Sequence, residues 1–193
     1  MKMITYVTIG ALILILFIGL NACKGKNKEN QSIDVKKTEL TDNPYLKLRE
    51  QAINVTPEQL NLELEHGNDI YGIVMDWNMG DAIVSVVSFK TGDASVYMST
   101  GQAFIGGYSH ETVINAAKQF VNAGSNYLTK STKTDSTEPT KGNKVGFYFL
   151  TKSGKYYVEE NFENIENNNS DFLKLFEAGN LVITEYRIVT EEK

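Results

Sequence analysis

The spacing of apolar and polar positions divides the chain into stretches of different kinds. Residues 4–20 are an almost unbroken apolar run, residues 24–42 are polar and charged with isolated aliphatics, and from residue 43 onward periods of two and of 3.6 succeed one another. Asn43-Pro44 supplies a cap and a first-turn proline, and Tyr45, Leu48 and Ala52 with Leu46, Arg49 and Ile53 predict a short helix with one apolar side. Thr56-Pro57-Glu58-Gln59 has the spacing of a capping box and predicts a further turn or two of helix to about Leu62. Three strands follow, at 70–77, 82–89 and 94–99. In the first, strict alternation sets Tyr71, Ile73, Met75 and Trp77 on one face and Ile70, Gly72, Val74 and Asp76 on the other, so the strand is central. The third sets Ala94, Val96 and Met98 against Ser95, Tyr97 and Ser99, which predicts one wet face. Gly80-Asp81 and Gly92-Asp93 turn the chain between these strands, and connections this short dictate an antiparallel meander.

Ser109 then caps a helix in which Val113, Ala116, Ala117, Phe120, Val121, Gly124 and Tyr127 recur at helical spacing. Residues 130–143 have almost nothing to bury and predict an open loop. Strands resume at 145–151 and 155–161, joined by a Ser153-Gly154 hairpin signal, and an Asn-rich loop covers 163–169. In the last segment, Leu181-Val182-Ile183-Thr184 favours strand by propensity. Phe172, Leu175, Phe176, Gly179, Val182, Ile183, Tyr186 and Val189 form one helical stripe, and that longer pattern predicts a helix over 170–189. A helix stop at Gly179-Asn180 followed by a strand is the alternative.

The order α-α-β-β-β-α-β-β-α predicts an α+β domain, an antiparallel sheet of about five strands with helices packed on it. In element order, over residues 43–189, it resembles the profilin and roadblock group of folds, with no motif behind the resemblance. The strings Y-G-I-V-M-D-W and H-E-T-V-I-N-A-A are similar to uncharacterised bacterial proteins, which implies no activity.

Composition narrows the partners. The net charge is −5 and the folded stretch has no cluster of Lys or Arg, which argues against nucleic acid. Cys23 is the only cysteine and follows the apolar run, so disulfides and thiolate metal clusters are excluded from the domain. Leu20-Asn21-Ala22-Cys23 resembles the lipobox of bacterial lipoproteins, with Asn21 departing from the commoner residues at its place. The resemblance implies a signal peptide at 1–22, cleavage before Cys23, lipid on its sulfur, and a membrane-anchored protein of the bacterial cell envelope facing outside the cytoplasm. The polar stretch that follows has too little to bury and predicts a flexible tether at 23–42, and the length left over predicts a single domain at 43–193. An uncleaved signal anchor is the other reading of the same leader.

No Walker loop, HExxH, nucleophile elbow, GxGxxG or EF-hand spacing is present. Gly101, Gly106 and Gly107 precede the helix capped at Ser109, where outward-pointing amides with His110 would suit an anion; the plainer reading is that the glycines turn the chain. Asp76 beside Trp77 would act as an acid if buried, with His110 or Glu111 as partner; the plainer reading has it bonding turn amides in the open. His66 lies in a charged loop and reads as solvated. Two histidines without a carboxylate cluster give no zinc site, and no cofactor is expected. Tyr148, Tyr156 and Tyr157 would make a binding surface or, more simply, cross-strand pairs. The leading functional reading is a lipid-anchored, non-catalytic binding or assembly module for a protein or small-molecule partner. The alternatives are an envelope hydrolase or transferase using Asp76, His110 and Ser99, and an immunity or secretion-accessory protein.

Overall fold

The computed structural model describes residues 44–191. The expected leader, lipidation of Cys23, tether and Asn43 cap all fall on residues outside the described ones. The domain is mixed α+β, built on one antiparallel seven-stranded sheet. Helix α1 (Pro44–Ile53) comes first, followed by a 3-10 turn, Glu58–Leu60. Strands β1 (Ile70–Asn78), β2 (Ile83–Phe89), β3 (Ala94–Met98) and β4 (Ala103–Ile105) form a meander. Helix α2 (Glu111–Gly124) leads to β5 (Thr132–Thr134), β6 (Lys144–Thr151) and β7 (Gly154–Asn161), and the short α3 (Phe162–Glu166) and long α4 (Leu173–Glu191) close the chain. The spatial order is β4-β3-β2-β1-β6-β7-β5, with β1 in the centre.

The five long strands are the five that alternation predicts. The two extra ones are three-residue edge strands, too short to show a period: β4 falls in the glycine-rich stretch and β5 in the polar stretch read as an open loop. Thr132, Lys133 and Thr134 pair with Tyr157, Tyr156 and Lys155.

Helices cover both faces of the sheet. On one, α2 and α4 pack against Ile73, Met75, Trp77, Val86, Phe147 and Phe149. Trp77 meets Phe162 and Phe176 there at ring-centroid distances of 5.0 and 5.2 Å. On the other, α1 packs Tyr45, Ala52 and Ile53 against Tyr71, Val74, Val87, Tyr97, Tyr148 and Leu150. Strict alternation therefore fails at the start of β1. The register shifts between Ile70 and Gly72, and this bulge puts Ile70 with Ile73, Met75 and Trp77, and Tyr71 with Val74. The wet face expected of β3 is covered too, since Tyr97 is buried in the layer beneath α1.

The final segment is one helix. A Cβ at Gly179 would lie 2.7 Å from Met75 Sδ and 3.2 Å from Phe120 Cζ, so α4 can approach β1 and α2 this closely only through a residue without a side chain. Glycine lowers helix propensity by about 1 kcal/mol, and the packing of this stripe outweighs that loss. The expected capping box is present at the 3-10 turn: Thr56 N donates to Gln59 Oε1 at 2.8 Å and Gln59 N to Thr56 Oγ1 at 3.4 Å. Among the described residues no helix is long and apolar enough to cross a membrane.

Candidate functional site

The register of four neighbouring strands lays one row of side chains across the face beneath α1. Asp76 on β1 stands opposite Ser85 on β2 and Gly146 on β6, and Gly146 stands opposite Glu159 on β7. The next row brings Val74, Tyr148 and Tyr157 together, and the Tyr148 and Tyr157 rings lie 4.5 Å apart. Arg49 reaches down from α1 into the first row. It is 2% exposed and Asp76 0%, so an ion pair sits within a protein interior.

The pair is closed on several sides. Arg49 Nε donates to both carboxylate oxygens of Asp76, at 2.9 and 3.1 Å, and Nη2 donates to Oδ2. Ser85 Oγ donates to Asp76 Oδ1 at 2.5 Å and is bonded in turn to Tyr45 Oη at 2.9 Å. Arg49 Nη1 donates to the carbonyl of Thr137, and the guanidinium lies 5.3 Å from the centre of the Tyr148 ring. Burial works to lower the pKa of Arg49, but the charge and hydrogen bonds of Asp76 more than offset it and hold the group above its ordinary value. Burial, reinforced by the charge of Asp76, pushes the Tyr45 phenol up to about 12. Burial also raises Tyr148, against the pull of Arg49.

Residues 135–143 run over this face as a strap between β5 and β6, outside any helix or strand. Three of its carbonyls are taken by side chains from three different elements: Thr137 by Arg49 of α1, Glu138 by the Tyr148 hydroxyl of β6 at 2.5 Å, and Thr140 by the Asn78 amide of β1 at 2.9 Å. The strap can descend because Gly146 leaves the sheet bare: a Cβ there would lie 2.7 Å from Tyr157 Oη and 3.1 Å from Thr140 Cβ. Glu159 ties the rim. It accepts from Lys144, from Tyr157 Oη at 2.9 Å and from Thr140 Oγ1 at 3.2 Å, and the Lys144 hydrogen bond is the main reason its carboxyl is held below the usual range. The expectation of an open polar loop at 130–143 is thus corrected, because its backbone supplies acceptors that buried donors need.

Asp76 is likewise corrected: it meets no turn amides in solvent, and Asn78 Oδ1 instead accepts the amide of Gly80. His110, its expected partner, begins α2 and lies on the opposite side of the sheet, as does Glu111. Ser99 Oγ accepts the amide of Ile83 at 2.9 Å. At the glycine-rich stretch, Gly107 N donates to Tyr186 Oη at 2.9 Å, so that amide is already occupied. Burial pushes the Tyr186 phenol up to about 12. Ser109 does not cap α2: the cap position is His110, with no side-chain cap bond, and Ser109 Oγ donates to the carbonyl of Gly106 at 2.9 Å. Gly106 serves a turn, with φ of 88°. His66 is exposed, with its ring 3.6 Å from Asp69. It borders an open depression of about 450 Å³ that Glu63, Glu65 and Lys90 also line. No group of three or more His, Cys, Asp or Glu side chains among the described residues is placed to hold a metal.

Of the expected site residues the structure therefore brings Asp76 into the strapped face, together with Tyr148 and Tyr157, which form a cross-strand pair there. Arg49, Ser85, Asn78 and the strap carbonyls complete it. The available signal was Arg49 standing on the apolar side of a helix, one turn from Tyr45 and one turn from Ile53. No family model, curated protein or solved structure matches this chain.

Proposed function

We propose that this is a lipid-anchored protein of the bacterial cell envelope, held outside the cytoplasm through Cys23, whose domain is a non-catalytic binding module. The observation that supports binding is the strapped face, where a stretch of chain outside any helix or strand is held by its carbonyls on side chains of α1, β1 and β6. A surface that grips main chain in this way is suited to a protein partner, because backbone acceptors are common to every peptide and the neighbouring side chains supply selectivity. The hydrolase reading needed Asp76 and His110 together, and they lie on opposite faces of the sheet. The anchor rests on the apolar run at 4–20 and on Leu20-Asn21-Ala22-Cys23. The likeness to the profilin and roadblock group belongs to the same proposal, supported by an antiparallel sheet layered with helices on both faces.

Crosslinking in intact envelopes tests the binding module. The expected result is one discrete crosslinked partner, retained when His110 is replaced by alanine. A protein that captures only itself and lipid overturns the reading, as does turnover of a substrate that His110→Ala abolishes.

A further inference from the structure

We propose that the face beneath the strap is a groove for a short peptide segment, and that residues 135–140 are a resident pseudo-ligand which a partner segment of like chemistry displaces. This rests on the binding-module reading and specifies its partner.

The strap is bound as a ligand would be. It pairs with no strand, and its carbonyls at Thr137, Glu138 and Thr140 each accept a hydrogen bond from a side chain elsewhere in the fold. Its side chains at Asp135 and Glu138 are exposed, so the groove reads backbone at these two positions. Pro139 has no amide to satisfy and a fixed φ compatible with extended chain. The groove cannot simply stand open, since its departure would leave the buried donors of Arg49, Tyr148 and Asn78 without acceptors, and unmet buried donors are costly. Whatever replaces the strap must bring acceptors at the same intervals. An apolar ligand brings none. A phosphate or carboxylate would set a second negative charge beside Asp76, which already neutralises Arg49. Closely spaced carbonyls of an irregular, proline-containing segment meet both conditions, as those of Thr137, Glu138 and Thr140 do, and the Tyr148-Tyr157 pair gives such a segment an aromatic floor.

The strap is tied at both ends, to β5 and β6, so it competes at a high effective concentration and masks the groove in the intact chain. Freeing one end should lower that concentration and admit a peptide in trans. The test uses the full chain in detergent micelles, with a specific protease site inserted between Lys141 and Gly142. Both residues are exposed, and nothing lies within 4 Å of a Cβ built at Gly142. The chain is folded first and cut afterwards, and the probe is a labelled peptide of residues 133–141 followed by fluorescence anisotropy. Saturable binding at least tenfold tighter to the cut form than to the uncut form is expected, weakened about fivefold by Tyr148→Phe. Four results would each overturn the groove: no binding to a cut form that keeps its tertiary signal, equal binding to cut and uncut forms, equal binding of a scrambled peptide, or loss of the fold on cutting, which would make the strap part of the core. A discrete partner recovered from envelopes despite such a result would leave the binding module standing and move its surface elsewhere.

Discussion

Arg49 and Asp76 each interrupt an apolar pattern, one on the inward stripe of a short helix and the other in a strand buried on both faces. Taking two ions out of water costs several kcal/mol apiece, and their attraction offsets this only when the remaining donors and acceptors are also met. Here Ser85, Thr137 and the Tyr148 ring meet them. Asp76→Ala should therefore cost about 3–5 kcal/mol in urea unfolding, because it leaves a guanidinium buried and uncompensated. Arg49→Met combined with Asp76→Leu should recover most of that loss, since the pair is then removed as a unit. A loss under about 1 kcal/mol for Asp76→Ala would mean that water reaches the site. Asp76 was legible as an anomaly, but its partner was not. The two are 27 residues apart, and no local pattern states which helix lies over which strand face. The same limit explains Ser109 and Gly107: a serine before a helix is a good cap by type, yet the chain turns so that Ser109 meets Gly106 and Tyr186 takes the glycine amide.

Between single residues and the whole domain, length decides what a pattern can show. The helical stripe of α4 persists over 19 residues and outweighs a strand-like Leu181-Val182-Ile183-Thr184, whereas β4 and β5 are too short to leave any period. A bulge shows even less. One shifted residue at the start of β1 moves Tyr71 to the other face, and neither Ile70 nor Gly72 announces it. Gly179 gives the α4 assignment a test. Alanine there should gain about 1 kcal/mol of helix propensity but force a methyl against Met75 and Phe120, and overpacking costs about 1–3 kcal/mol. Gly179→Ala should thus be destabilising by about 1 kcal/mol, and the Gly179→Ala, Met75→Val double variant should be more stable than the two single effects sum to. A stabilising Gly179→Ala would show that α4 stands further from β1 than described.

On the scale of the whole molecule, the described domain begins at α1, and the proposed anchor depends on the sequence ahead of it. An apolar run ending in Leu-x-Ala-Cys, a polar stretch after it and no second cysteine are the features on which we propose lipidation of Cys23. Each buried CH₂ contributes about 0.8 kcal/mol, so one acyl chain holds a protein reversibly while two or more make release slow. Cys23→Ala should therefore abolish fatty-acid labelling. Its location would not discriminate, because a variant whose leader is no longer removed stays at the membrane as a longer precursor, held by residues 4–20. The mass of the N-terminal peptide does discriminate. The expected peptide starts at Cys23 and carries the added mass of its lipid; an unmodified Cys23 with residues 1–22 still attached would identify a signal anchor and remove the lipoprotein proposal, while leaving the strapped face untouched.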